Sequence, residues 1–182
     1  MIPARVDRHE YDLTDRELAA AASTGDMRAL GALYERYAPA MLATAYRLLL
    51  RRQDAEDVVH DTFVRLPEAL RRYRDGNLGA WLRKVTVRMA LSARRSDANR
   101  AIVTLDEHLT YGSGDPTARV ALEQALAVLN PALRAVLVLK EIEGFSHAEI
   151  AELLDISEGS SQVRLHRALR ALRAHLEKGE PP

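Results

Sequence analysis

The chain has 182 residues, enough for one or two small domains. Its 26 basic and 26 acidic side chains cancel, which argues against a generic nucleic-acid coat that binds by net charge. It has no cysteine, which excludes disulfides and thiolate metal sites, and its 47% hydrophobic content with only 5% aromatics implies an aliphatic core.

Leu, Ala, Arg and Glu dominate, so an all-α fold is expected. The opening MIPARVDRHEYD is charged and has no apolar stretch, so no signal peptide is expected and residues 1–12 read as a loose arm. No apolar run approaches the ~20 residues that span a bilayer. A cytoplasmic protein without membrane insertion is the expectation.

Thr14-Asp15-Arg16-Glu17 is a capping box that opens a short helix through about Ala22. Gly25 ends the turn and Asp26 caps the next helix, in which Met27, Leu30, Leu33, Tyr34 and Tyr37 share a face. Pro39 suits the first turn of a further helix carrying Met41, Leu42, Ala45, Leu48 and Leu49.

Asp54 is the expected N-cap of DAEDVVHDTFVRL. Val58, Val59, Phe63 and Leu66 turn inward there, while Asp54, Asp57 and Asp61 share an outward face. Pro67 should interrupt or restart this helix, and Asp75-Gly76-Asn77 reads as a loop. A basic helix follows from Leu78 to about Arg95, carrying Trp81, Leu82, Val85, Met89 and Leu91. From Arg71 to Arg95 the charges are Arg71, Arg72, Arg74, Arg83, Lys84, Arg88, Arg94 and Arg95, against Asp75 alone.

Composition changes from Ser92 to Asp115, and a linker is placed at residues 96–115, with a local extended stretch at Val103–Leu105. Asp115-Pro116 and Asn130-Pro131 each pair an N-cap with an N1 proline, predicting helices through Leu129 and through about Glu143, where Gly144 stops the second. Ser146 and Glu149 form another capping box, with Phe145 and Ile150 as a hydrophobic staple. Asp155, Ile156 and Ser157 then break the pattern, and Ser157 caps a last helix, with residues 178–182 as a frayed tail.

In that last helix, Leu165, Leu169, Leu172 and Leu176 fall within roughly a 60° arc at 100° per residue and should face the domain. Arg167 points away from the arc, and Ser160, Val163 and Arg164 should also face solvent. The charges divide by sign: acidic from Glu141 to Glu158, basic from Arg164 to Arg173. Two helices joined by a tight turn, the second basic, read as a helix-turn-helix.

These residues resemble the extracytoplasmic-function (ECF) RNA polymerase sigma factors of the sigma-70 family. Glu143, Gly144, Ser146, Glu149, Ile150, Ala151 and Leu153 follow that family's E-G-x-S-x-x-E-I-A-x-x-L pattern. Ile156, Ser157, Gly159, Arg164, Leu165, Arg167 and Ala168 follow its I-S-x-G and R-L-x-R-A patterns. Upstream, Asp54, Ala55, Glu56, Asp57, Phe63 and Leu66 match the D-A-E-D-x-x-Q-x-x-F-x-x-L signature of region two, and Ala80, Trp81, Leu82, Val85 and Arg94 match the segment after it. The chain departs from the pattern at His60, Pro67, Leu78, Arg88, Ser92, Ser161 and Gln162.

The resemblance implies two helical domains: sigma region 2 at 13–95 and sigma region 4 at 116–177. It implies binding to core RNA polymerase through Asp54, Glu56, Asp57 and Asp61. It places the promoter −10 element against Arg74, Asn77, Trp81, Lys84 and Arg88, in a loop-and-helix segment that receives a flipped base. It places the −35 element against Ser160, Gln162, Val163, Arg164, His166 and Arg167. Core RNA polymerase and promoter DNA are the implied partners, with an anti-sigma factor as a further candidate.

Read without the family, the acidic stripe is an ordinary solvated helix face and Trp81 is a core residue. The competing functions are a helix-turn-helix regulator and a sigma-like adaptor that does not initiate transcription. Catalysis has one foothold, Asp57-x-x-His60, which resembles half of a helical di-metal site. His147 and His166, the other histidines near a carboxylate, lie on the helix-turn-helix. No catalytic residue, metal or cofactor is expected.

Overall fold

The computed structural model describes residues 13–74, 76–96 and 116–179. Eight α-helices follow one another: α1 (Asp15–Ser23), α2 (Met27–Leu49), α3 (Arg52–Leu70), α4 (Leu78–Ser96), α5 (Pro116–Ala127), α6 (Pro131–Leu137), α7 (His147–Leu154) and α8 (Glu158–Gly179). No strand occurs among the described residues. The Asp115 cap, the Val103–Leu105 stretch, the N-terminal arm and all but the first residue of the linker lie outside them.

In the N-terminal half, α2 is the central rod, packed on α1, α3 and α4. Leu33, Ala45, Leu48, Leu66, Leu78, Leu82 and Val87 are fully buried between these helices. Phe63 meets Tyr34 edge to face with ring centroids 4.9 Å apart, a favoured aromatic geometry. Thr62 and Thr86 are buried, and each hydroxyl donates to the carbonyl four residues back, so neither is left unsatisfied.

Both helix-capping boxes form as the sequence predicts. The Thr14 hydroxyl accepts from the Glu17 amide and the Glu17 carboxylate accepts from the Thr14 amide; Ser146 and Glu149 do the same. Asp26, Asn130 and Ser157 also cap their helices.

Pro131 opens α6 behind its Asn130 cap as expected, but the expectations at Pro39 and Pro67 fail. α2 runs unbroken through Pro39, and α3 runs unbroken through Pro67. Each proline costs one backbone hydrogen bond. Buried neighbours hold the helices through: Ala38, Met41 and Leu42 around Pro39, Leu66 and Leu70 around Pro67.

The α2–α3 break falls instead at Leu50, whose backbone is left-handed with φ of 57° although it is not glycine. Its side chain is buried, and that burial offsets the conformational cost. Arg51 therefore occupies the N-cap position, and Asp54 lies inside the first turn of α3 rather than capping it.

The C-terminal half packs α6 and α7 against α8. The helix expected through Glu143 widens after Leu137 into a π-helical stretch, Val138–Ile142. Gly144, at φ of 74°, then reverses the chain. α4 continues through Ser96, the first residue of the expected linker, and α8 extends through Gly179 into the expected tail.

The inward face of α8 also differs from the expected leucine stripe. Ser161 and Ala168 are buried, and Leu165 and Leu172 are partly buried against the core. Leu169 and Leu176 are 46% and 64% exposed. The true stripe runs 161–165–168–172, one flank over from the all-leucine arc.

This arrangement makes a prediction about two residues the sequence puts on one face. Leu172→Ala should cost on the order of 2 kcal/mol by loss of packed methyl groups. Leu169→Ala should cost less than about 0.5 kcal/mol as a surface change. Urea unfolding of the two variants measures the difference; equal losses would restore the leucine-only stripe.

Candidate polymerase and promoter interfaces

The outward face of α3 carries the acidic stripe. Glu56 and Asp54 are drawn back onto their own helix: Arg52 Nε pairs with Glu56 Oε1 at 2.8 Å, and Arg51 Nη1 with Asp54 Oδ2 at 3.3 Å. Such exposed pairs contribute little, about 0–1 kcal/mol, and can be exchanged for an external cation. Asp57 and Asp61 are exposed and make no ion pair among the described residues. Beside them lies a groove of about 470 Å³, lined by Tyr34, Pro39, Leu42, Asp57, Val59 and His60 among others. Carboxylates at the edge of an apolar groove suit a partner that brings both cations and apolar side chains.

The loop before α4 and the start of α4 form a second site. Asn77 Oδ1 accepts from the Ala80 amide at 2.9 Å, so this side chain caps α4. Gly79 lies at a close approach: a Cβ there would sit 3.1 Å from the Tyr37 ring.

Tyr37 is itself anchored, its hydroxyl donating to Asp15 Oδ2, while Arg36 pairs with Asp15 Oδ1 at 2.6 Å. Burial, reinforced by Asp15, pushes the Tyr37 hydroxyl up to about 12. Trp81 is half-buried and tilted against Tyr73 with centroids 5.2 Å apart, so much of its surface serves packing. Arg74 and Arg88 are exposed. A cavity of about 310 Å³ is lined by Tyr37, Asn77, Gly79, Ala80, Arg83 and Glu143 among others. Sequence reading had no means of placing Tyr37, Gly79 and Glu143 together.

On α8, Gln162, Val163, His166 and Arg167 are exposed, Val163 by 50%. Two residues of the expected reading face behave otherwise. Ser160 is half-buried, with its hydroxyl 2.8 Å from that of Ser157 in the helix cap. Arg164 is also half-buried and lies near Arg94. Ser161, one of the departures from the family pattern, is buried, and its hydroxyl lies 2.9 Å from His147 Nδ1. That contact ties α7 to α8. Of the residues raised for metal chemistry, His60 is on the outer face of α3 and His147 in this helix contact, and among the described residues no three potential metal ligands gather.

Comparison with known proteins bears on both halves. Residues 33–100 match the family described as Sigma-70 region 2, and residues 119–172 match Sigma-70, region 4. The chain is 36% identical over 174 residues to the ECF RNA polymerase sigma factor SigL of Mycobacterium tuberculosis, covering 88% of this chain and 94% of that one. It is 31% identical over 169 residues to the ECF RNA polymerase sigma factor SigE of Mycolicibacterium smegmatis, covering 86% of this chain and 66% of that protein.

Among solved structures, CnrH in complex with the cytosolic domain of CnrY superposes with a TM-score of 0.60 at 30% identity, covering 91% and 99% of the two chains. The sigma factor RpoE from Bartonella quintana, solved with the anti-sigma factor NepR, gives a TM-score of 0.58 at 26% identity, covering 78% and 92%.

An all-helical fold with a region 2 half and a helix-turn-helix region 4 half defines a sigma-70-type initiation factor. Within that class, the chain belongs to the ECF RNA polymerase sigma factors. It directs promoter-specific transcription initiation, and a helix-turn-helix regulator lacking region 2 is thereby set aside. No described helix is long and apolar enough to cross a membrane.

The Gly79–Tyr37 contact can be tested on its own. Gly79→Ala forces the Tyr37 ring to shift, an overpacking change expected to cost about 1–3 kcal/mol. Thermal unfolding should register that loss, and Gly79→Ala combined with Tyr37→Leu should recover most of it. An unchanged melting temperature in the single variant would mean the ring yields freely.

Proposed function

We propose that residues 13–95 act as the module that binds core polymerase and the −10 element, that residues 96–115 act as a tether, and that residues 116–177 bind the −35 element. The observation that carries this reading is the order of two independent family matches on one chain, each with its exposed charged face.

In this reading Asp57 and Asp61, with Asp54 and Glu56 released from Arg51 and Arg52, receive a basic surface of the polymerase. The groove beside them takes apolar side chains from the same partner. Arg74, Lys84 and Arg88 meet phosphates of the −10 region, where each neutralised phosphate releases counterions and makes binding salt-dependent. The cavity bordered by Asn77 and Gly79 takes an extruded base, with Trp81 on its packing side. Unpairing a base costs a few kcal/mol, which contacts in such a cavity can return.

On α8, Arg164 and Arg167 offer the bidentate geometry that reads guanine O6 and N7. Val163 offers an apolar contact for a thymine methyl, and Gln162 and His166 lie on the same exposed turn. Ser160 contributes its cap geometry rather than a free hydroxyl. Arg170 and Arg173 lie farther along and meet phosphates or solvent, which carry no sequence information.

The two solved relatives were captured with a partner, the cytosolic domain of CnrY in one and the anti-sigma factor NepR in the other. An anti-sigma factor is a matching partner for this chain. A cytoplasmic site of action follows from that role, and the chain acts as a non-catalytic subunit without metal or cofactor.

Two measurements test the assignment. In a titration against core polymerase, Asp57→Arg with Asp61→Arg should weaken binding by on the order of tenfold or more, because like charges then face each other. Unchanged affinity with an intact fold would mean the stripe is only solvated. In a panel of −35 variants, Arg164→Ala and Arg167→Ala should erode base preference by roughly 1–3 kcal/mol each, while Arg173→Ala should lower affinity evenly. Intact base preference in both would remove α8 from the reading role.

A further inference from the structure

The two halves of the chain meet along α4, and the two ends of that contact are unlike each other. At one end cations meet carboxylates. Thr44 Oγ1 donates to Glu143 Oε1 at 2.9 Å, and Arg47 Nη1 lies 3.6 Å from the same oxygen. Arg83 Nη1 donates to the Glu143 backbone carbonyl at 2.9 Å, and Lys84 Nζ pairs with Glu149 Oε1 at 2.9 Å. Glu143 is only 8% exposed, yet its charge is answered.

At the other end three arginines gather. Arg94, in the last turn of α4, donates from Nη1 to the Pro131 carbonyl at 2.6 Å, which seats its guanidinium on the first turn of α6. Arg134 stands three residues beyond Pro131, on the same side of α6. Arg164 is half-buried on α8, the helix packed on α6, and it repels Arg94. None of the three makes an ion pair among the described residues.

Arg134 is the group that most needs an explanation. It is 4% exposed, and its buried Nε has no hydrogen-bond partner. Burial and the neighbouring Arg94 push its guanidinium down to about 10, so it stays charged at neutral pH. A buried charge whose partner is missing is strongly destabilising. A water molecule could satisfy the Nε hydrogen, but it brings no charge to offset three cations that repel one another. An anion does both. The chain's formal net charge is zero, so any attraction for anions here is local to this cluster.

The donors also define the ligand. A guanidinium presents a planar fork of N–H groups that takes two oxygens of a phosphate at once. Forks from three different helices suit a tetrahedral anion, which offers oxygens in several directions. A carboxylate, with two oxygens in one plane, suits a single fork. Three positive charges favour a ligand carrying more than one negative charge.

We infer that Arg94, Arg134 and Arg164 form a binding site for a phosphate-type anion where α4, α6 and α8 meet. Arg134 lies deepest and takes the terminal phosphoryl group. The half-buried Arg94 and Arg164 stand outside it, so the rest of a larger ligand stays in solvent. A free polyphosphate and the phosphates of a DNA backbone share this chemistry. The site stands on the arrangement of the three arginines and does not depend on the promoter assignments above.

The test uses the full chain, with sodium pyrophosphate as the probe and sodium chloride at equal ionic strength as the control. Calorimetry should find one site with a Kd of about 1 mM or tighter. Arg134→Met should weaken it on the order of tenfold or more, because the deepest fork is gone. A ligand that binds only the folded chain raises its melting temperature. Pyrophosphate should therefore raise that of the parent and leave that of Arg134→Met in place. Should Arg134→Met fail to fold, Arg94→Gln and Arg164→Gln carry the same comparison, each with weakened pyrophosphate binding. A parent that responds to pyrophosphate no more than to chloride would overturn the site. So would equal pyrophosphate affinity in the parent and in every variant that folds.

A second arm identifies the source of the phosphate. A promoter duplex that competes with pyrophosphate and loses affinity in Arg134→Met marks a DNA phosphate as the occupant. ATP that binds more tightly than pyrophosphate, with duplex affinity unchanged in Arg134→Met, marks a free nucleotide. Pyrophosphate remaining the tightest of the three, with duplex affinity unchanged, marks an inorganic anion.

Discussion

The packing of α4 sets the direction of nearly every charged group that matters in the N-terminal half. Leu78, Leu82, Val87, Ala90 and Leu91 are buried against α2 and α3, which fixes the roll of the helix. Arg83, Lys84 and Arg88 then have one direction left to them, away from that core. Asn77 caps the helix and Gly79 admits the Tyr37 ring, so the start of α4 is pinned in position as well as in roll. A basic surface with a defined cavity at its end is the result. The same face is the one region 4 meets, which is why a buried carboxylate, Glu143, finds Thr44, Arg47 and Arg83 waiting for it.

Several parts of this were legible in the residues before any coordinates. The capping boxes at Thr14 and Ser146 are local chemistry, complete within four residues, and both form. The acidic stripe on α3 and the exposed arginines of α8 follow from helical periodicity. What was hidden is what depends on contacts distant in sequence. Pro39 and Pro67 read as breaks because a proline removes a hydrogen bond; the helices pass through because burial on either side outweighs that loss. Leu50 carries no local sign of a left-handed turn, and only its buried environment explains it.

The leucine stripe of α8 was misplaced for a related reason. Periodicity weights large apolar residues, but the closest helix–helix approach selects small ones, here Ser161 and Ala168. The Ser161–His147 contact joins the two helices of the helix-turn-helix and leaves Leu169 and Leu176 outside. The departures from the family pattern at Ser161 and Gln162 thus separate into two kinds. Ser161 is an internal tie, and Gln162 is an exposed residue on the outer face of α8. The polar junction between the halves was beyond sequence reasoning altogether, since Glu143 and Thr44 are 99 positions apart.

The central claim is that this chain alone confers promoter choice on core polymerase. The direct measurement is start-site mapping: core polymerase from the same source transcribes total genomic DNA with and without the purified chain, and the new 5′ ends are sequenced. The account predicts a set of starts present only with the chain, all preceded at constant spacing by one shared pair of −10 and −35 elements. The same 5′ ends in both reactions would contradict it.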